Sequence, residues 1–514
     1  MIKQRQLPES VRELRATPMH MSLESYRRFW KKAREETACF PGPLSFSTMK
    51  AGAFNEQIAE MDWTLTRFPL EVGFAPKRWK QCVDVMLLKK SGMAELSSLP
   101  TIVLFPVDCN FAFKHVGKEM MKIAEQTKSL EPEQYGSRKR HRAIDLALNK
   151  ALTFDILPQL KRAGAICSND AKSCYDLIGH MLAAISMQRV GLPRNIINCL
   201  FTTLQEAVHR VRTGFGDSKA TYRGPVWLVP IHGIGQGNGV GPAIWAVVST
   251  PILNVLWEKG FGCELVRPLS SDCIKFVGYA FVDDTNIIQS ALQENPISAM
   301  QHLQQASDSW EFSLRATCGA LVPEKTMWWL VSFQWSGNTW RYSGIQDCHG
   351  ELTVNDISNQ RKTIKHLEPN QAYETFGVFL EPDGNLHEQY NKMHTAASHW
   401  ADALQTGNFS KDEVWTALQS TIWRTLCYPL PALRLSKAQC DTIMTPILQY
   451  CLIFHNICGK NVSSSSIWNF FMLINVHKKN SYLLESPKAP AKGHLSCRTL
   501  PYLSNSCVVY MDQT

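Results

Sequence analysis

The sequence predicts an α+β protein, and three observations carry that prediction. Lys275 to Ser290, KFVGYAFVDDTNIIQS, reads as strand, tight turn, strand, with β-branched and aromatic residues on both sides of Asp283 and Asp284. Ala165 to Ser168 reads as a short apolar strand with Asp170 at its end. Helical patterns run before, between and after these strands, the most apolar from Gly241 to Trp257.

Composition bounds the function classes. A chain of 514 residues is too long for one compact core and suggests roughly two to four subdomains. The net charge of +9 suits a polyanionic partner. The sixteen cysteines contain no C-x-x-C pair and no zinc-site spacing, so they read as thiols kept reduced in an intracellular, nuclear or cytoplasmic compartment. The first twenty residues lack the apolar core of a secretory signal. Gly241 to Trp257 carries Pro251 and is short for a bilayer, so the chain is expected to be soluble, with no membrane partner.

Taken in order, Ser22 to Glu36 places Leu23, Tyr26 and Trp30 near one helical face, with basic residues around the other. Phe40 to Met49 reads as loop and turn. Pro76 to Lys90 joins a basic cluster to an apolar run ending in Lys89 and Lys90. Thr101 to Phe105 follows, then a helical pattern from Phe111 to Ala124. Glu133 to Leu152 is a turn with a dense basic run, then an amphipathic helix. Arg138, Lys139, Arg140, His141 and Arg142 are too concentrated for a core element, and nucleic acid or an acidic neighbour would accept them equally well. After Asp170 a helix is expected from about Asp176, stopped by Gly191 and Pro193; Asp170 itself reads as a strand-end carboxylate or a helix cap. Pro230 to Leu253 opens with glycines at 233, 235, 237, 239 and 241 around Gln236, a spacing that lets backbone approach a ligand but fits no phosphate-loop pattern.

Two adjacent carboxylates at the tip of a buried hairpin repel, and a divalent cation removes that cost; the plain alternative is an acidic surface turn. Helical patterns resume from Asn391, from Lys411 and from about Lys437 to Ile457. From Lys460 to Thr514 no period is sustained, and the stretch reads as a loosely ordered or degenerate tail.

The order NDAKSCYD, GIGQGNGVGP, FVDD resembles the palm motifs of reverse transcriptases of the retrotransposon and group II intron type. QYGSR (Gln134 to Arg138), PEKT (Pro323 to Thr326) and ETFGVFLEPDG (Glu374 to Gly384) are similar to further elements of that family, so the likeness covers roughly residues 40 to 390. The resemblance implies a right-hand polymerase: a basic helical extension at 1–39, fingers at 40–160, a palm of antiparallel sheet packed on helices at 161–390, and a helical thumb at 391–459. It implies an RNA-directed DNA polymerase acting on an RNA template, a DNA primer and dNTPs. Asp170, Asp283 and Asp284 would hold two Mg2+ ions, a hard all-oxygen site suited to in-line attack of a 3′-hydroxyl on a phosphorus. Tyr175 would stack under the incoming sugar, Gln236 and Gly237 would contact the nucleotide, and Lys89 or Lys90 would grip its triphosphate. Lys325 would neutralise or protonate the pyrophosphate, or be a solvated turn lysine, and Arg138, Lys139, Arg140 and Arg142 would meet nucleic acid.

Departures from the pattern are Cys174 for a small Ala or Ser, Gly241 for the serine before Pro242, Phe376 for a leucine, and Pro100 for the fingers arginine. Pro100 carries no charge and no donor, which favours the alternative of a catalytically weak or inactive relic that binds nucleic acid. An RNA-dependent RNA polymerase would prefer an acidic residue at Tyr175, and a P-loop ATPase would need a G-K-[ST] loop the chain lacks.

Overall fold

The computed structural model describes residues 21–87, 99–172, 174–223, 233–266, 273–291, 295–348 and 350–455, the side chains of 450–455 excepted. The chain is α+β, with helices around several small sheets. It opens with α1 (Leu23–Lys31), where the Ser22 hydroxyl accepts from the Ser25 amide at 3.2 Å and buried Tyr26 and Trp30 lie one turn apart on the face the sequence marks. A capping box starts α2 (Phe46–Gly52), and the Asn55 side chain starts α3 (Glu56–Val72), which ends at Gly73 with φ +87°. Next come β1 (Gln81–Met86), β2 (Thr101–Leu104), α4 (Val107–Gln126) and α5 (Ala143–Gln159).

After β3 (Gly164–Asn169) the helix expected from Asp176 begins only at His180, as α6 (His180–Arg189). The delay has a cause in tertiary contacts. The Tyr175 and Ile178 carbonyls accept from Ile234 and Gly233, and the Gly179 amide donates to Thr317, so this segment's backbone is spent on two other loops. Then follow α7 (Arg194–Gln205), β4 (Val208–Thr213) and β5 (Gly216–Asp217), which complete a four-stranded sheet ordered β2-β1-β4-β5, and α8 (Gly241–Glu258). The apolar run Phe276 to Val282 is two strands: β6 (Cys263–Val266) pairs with β7 (Cys273–Phe276), and β8 (Gly278–Phe281) turns into β9 (Asp284–Ser290).

The long helix α9 (Pro296–Arg315) precedes β10 (Met327–Val331), then β11 (Phe333–Ser336), β12 (Thr339–Tyr342), β13 (Thr353–Asn355), β14 (Arg361–Thr363) and β15 (Lys365–Leu367). The central sheet is ordered β15-β10-β3-β9-β8, antiparallel except for β10 beside β15. All six residues of β3 are buried, as expected of a strand covered on both faces. Ile166 and Ile288 share one cluster with Phe154 and Leu157 of α5, whereas Cys167 and Ile287 share another with Trp245 of α8 and Trp310 of α9. That second cluster continues through Trp79 and Phe113 to Tyr26, so the N-terminal sheet and the central sheet rest on one core.

The hairpin β16 (Tyr373–Thr375) and β17 (Val378–Leu380) turns through Phe376 and Gly377, both at positive φ. Beyond it α10 (His387–Thr406), α11 (Lys411–Ala417), α12 (Trp423–Cys427) and α13 (Lys437–His455) gather a core of their own around Met393, Val414, Ile422 and Ile447. No helix among the described residues is long and apolar enough to cross a membrane, and no disulfide joins the described cysteines.

Glu133 lies behind the central sheet, 1% exposed. Its Oε1 accepts from Trp257 Nε1 at 2.9 Å and from the Val277 amide at 3.2 Å, while Oε2 has no partner. Burial, then the neighbouring Glu131, push its carboxyl up to about 7. The folded chain therefore holds a proton here that the unfolded chain releases near the ordinary glutamate value. The stability tied to it is whole below about pH 4.5 and is lost as the pH rises through 7, about 3 kcal/mol in all. Glu133→Gln should raise the melting temperature at pH 8 and leave it nearly unchanged at pH 5; wild-type and variant melts that run parallel across that range would refute this.

Candidate active site

The tip of the β8–β9 hairpin is a two-residue turn, since Phe281 pairs with Asp284 and leaves Val282 and Asp283 between them. Val282 takes φ +57°, a conformation a β-branched residue adopts only when its surroundings impose it, at a cost of about 1–3 kcal/mol. Those surroundings are specific. Gln134, fully buried, accepts through Oε1 from the Val282 amide at 3.0 Å and the Gly136 amide at 2.8 Å, and its Nε2 donates to the Val282 carbonyl at 3.2 Å and to Ser249 Oγ at 3.1 Å. Trp245 Nε1 donates to the same carbonyl. Both backbone groups of Val282 are thus gripped from behind, and the turn presents Asp283 and Asp284 outward.

Gly136 completes the clamp, because a Cβ there would stand 2.4 Å from the Val282 amide nitrogen. In the sequence QYGSR stands only as one element of the resemblance, with no task for Gln134. A glutamine and a glycine two apart in an otherwise basic turn were the available signal. Trp245, inside an apolar helix, gave none.

Asp170 reaches the same place from β3. The ladder ends with Asn169 against Thr285, which leaves Asp170 next to the Asp284 end of β9, near enough for the two carboxylates to repel. The Val322 amide donates to the Asp170 carbonyl at 3.1 Å, and Lys325 Nζ stands 3.5 Å from Asp170 Oδ2. Burial first, then Asp283 and Asp170, raise the Asp284 carboxyl to about 6, with Lys150 opposing; solvent reaches Asp284 and screens part of that repulsion. The Cys174 thiol makes a hydrogen bond to Asp283, and burial together with that carboxylate keeps it protonated. Tyr175 neighbours Asp283 as well, its phenol pushed up mainly by burial.

The glycine-rich loop is packed against protein. The Gln236 carbonyl accepts from the Val103 amide of β2 at 2.7 Å, and its own amide donates to the Asp176 carboxylate. Gly237, at φ +110°, lies where a Cβ would come within 2.6 Å of the Val103 carbonyl. Gly233 and Gly239 are crowded in the same way by Asp176 and Asn110. The loop therefore joins the N-terminal sheet to the segment carrying Cys174 and Tyr175.

Behind the carboxylates lies Lys150, a buried residue the sequence did not mark. Its Nζ donates to Asn286 Oδ1 at 2.7 Å and Thr375 Oγ1 at 3.0 Å and stands 4.6 Å from the Trp329 ring. Burial pushes the ammonium down to about 7, and the largest opposing influence is Asp284. Lys150 ties the strand bearing Asp284 to the β16–β17 hairpin, whose Tyr373 hydrogen-bonds Ser168 beside Asp170.

The basic run divides. The Arg138 guanidinium makes paired bonds to Glu125 at 2.6 and 3.0 Å and two more to the Glu131 and Gln134 carbonyls, so it clips the Gln134 turn in place. Arg142 pairs with Asp145 at the start of α5 but stays exposed, as do Lys139 and Arg140. Lys89 and Lys90 lie outside the described residues, as does the tail at 460–514. Pro100 offers only its carbonyl, which accepts from the Leu87 amide at 3.0 Å.

Three carboxylates and no imidazole are a donor set chemically fit for a hard divalent cation. Among the described residues, however, no group of three or more His, Cys, Asp or Glu is gathered closely enough to hold an ion. The three are neighbours that repel, not a closed ligand set. No protein-family model matches the chain, and no curated protein matches it.

Proposed function

We propose that the chain is an RNA-directed DNA polymerase, the reverse transcriptase portion of a retroelement, with residues 40–160, 161–390 and 391–459 acting as fingers, palm and thumb. The observation that carries this reading is the Gln134 and Trp245 grip on Val282. Storing strain in a two-residue turn has a purpose if the turn must hold Asp283 and Asp284 outward, next to Asp170 at the end of the adjoining strand. Asp170, Asp283 and Asp284 would hold Mg2+, which when bound supplies charge neutralisation at the phosphates and a more acidic primer hydroxyl. Tyr175, with Asp283 beside it and the Ile234 amide on its carbonyl, would floor the sugar site and discriminate against a 2′-hydroxyl. Lys325, 3.5 Å from Asp170, would meet the departing pyrophosphate. Exposed Lys139, Arg140 and Arg142 would contact template or primer phosphates.

A second reading, a weak or inactive relic that still binds nucleic acid, is favoured by Pro100, which carries no charge and no donor where the fingers arginine is expected. One experiment separates them. A primed RNA template with Mg2+ and dNTPs should be extended by the wild type and not by an Asp283→Ala, Asp284→Ala double variant, with rNTPs a poor substitute. Binding without extension establishes the relic. If the missing fingers contact limits turnover, Pro100→Arg should raise kcat/KM for dNTP on the order of tenfold; unchanged kinetics would discard that explanation.

A further inference from the structure

We infer that the outward face of α3 is the interface through which two copies of this chain pair, antiparallel, about Leu65. On that helix Ile58, Met61, Leu65, Phe68 and Val72 form one stripe at alternating steps of three and four residues, and Phe54 and Phe74 extend it at either end. Each of the seven is between 43% and 64% exposed. The opposite face needs no partner: Ala59, Thr66, Pro69 and Leu70 are buried, and Trp63 Nε1 donates to the Met21 carbonyl at 2.8 Å. The helix is therefore held by its inner side, while its outer side carries the spacing of a helix-pairing seam.

Extent and symmetry point to a second copy. Seven side chains of this size, about half exposed, present on the order of 700 Å² of apolar surface, above the ~300–600 Å² of a typical monomer's largest patch and close to the ~800 Å² per partner of a specific interface. Around Leu65 the stripe is nearly palindromic, with Ile58 and Met61 seven and four residues before it and Phe68 and Val72 three and seven after. A two-fold pair requires such self-complementarity, and it sets Ile58 of one copy near Val72 of the other and Met61 near Phe68, a thioether against an aromatic ring. Antiparallel pairing also brings Gln57 of one copy beside Glu71 of the other. A parallel pair would set Glu60 against Glu60 and Glu71 against Glu71.

Sedimentation velocity of the full chain from about 0.5 to about 50 μM should show a single-chain species giving way to one of twice its mass. Leu65→Glu places two carboxylates at the symmetry axis and should weaken association at least a hundredfold, with an unchanged melting temperature at concentrations where the wild type is a single chain, because the residue is exposed. Leu65→Cys should form a disulfide-linked dimer under mild oxidation well above the background of the native cysteines and of a Phe215→Cys control on the exposed β4–β5 turn. A wild type of single-chain mass throughout, a Leu65→Glu variant that pairs like the wild type, or a Leu65→Cys variant no more crosslinked than the control would each overturn the proposal. So would a chain that associates only once residues 1–20 are removed, since those residues would then be the seam's cover.

Discussion

Asp284→Asn should abolish primer extension and at the same time raise the melting temperature of the metal-free protein. The two effects come from one property, the crowding of three carboxylates at the end of the central sheet. With the carboxyl of Asp284 raised to about 6 by burial and then by Asp283 and Asp170, the folded chain keeps a proton that the unfolded chain has released. The associated stability is complete below about pH 4 and is lost as the pH climbs through 6, so at pH 8 the ionised site weakens the fold. Asparagine carries no charge to repel, and the gain should be present at pH 8 and absent at pH 4. The same substitution removes one of the oxygens proposed to hold Mg2+, and extension should fall on the order of 10³-fold or more. Adding Mg2+ at pH 8 should then stabilise the wild type more than the variant. Undiminished extension by Asp284→Asn would sink the catalytic assignment, and a melting temperature indifferent to the substitution at pH 8 would sink the electrostatic one.

What could be read in the chain itself was whatever local pattern decides. The hairpin around Asp283 was legible because a β-branched run on either side of a polar turn has few other outcomes, and α8 because apolar residues dominate it from Gly241 onward. The strand ending at Asp170 was legible for the same reason. What escaped depends on partners remote in sequence. Tyr175 to Gly179 gives its backbone to residues 233, 234 and 317, so the helix waits until His180. Arg138 sits in a basic run, yet the end of α4 sets Glu125 beside it. The glycines at 233, 237 and 239 were visible as close-approach positions, but what they approach is Asp176, Val103 and Asn110. Lys150 and Trp245, each buried in a helix that reads as ordinary amphipathic or apolar sequence, acquire their tasks only when the β8–β9 hairpin is laid across them.

Gln134→Ala is expected to cost both stability and activity, and Val282→Gly in the same chain should return part of each. Gln134 satisfies the Val282 amide and carbonyl, the Gly136 amide and the Ser249 hydroxyl from one buried side chain. Deleting it strands donors away from water, and about 2–4 kcal/mol should be lost in urea unfolding. The loss does not end with those bonds. Val282 holds φ +57° against its own preference, and with only Trp245 left on its carbonyl it can relax toward negative φ, which turns the Asp283 carboxylate away from Asp170. Misplacement of about 1 Å at such a site reduces turnover on the order of 10²-fold. Glycine at 282 has no Cβ to resist the left-handed conformation, so the turn can keep its shape with fewer restraints. A cycle of the wild type, both single variants and the double should therefore show a favourable coupling of about 1 kcal/mol or more, in unfolding and in kcat alike. Strict additivity would mean that the glutamine supports the hairpin without shaping its tip, and the link between backbone strain and carboxylate presentation would have to be abandoned.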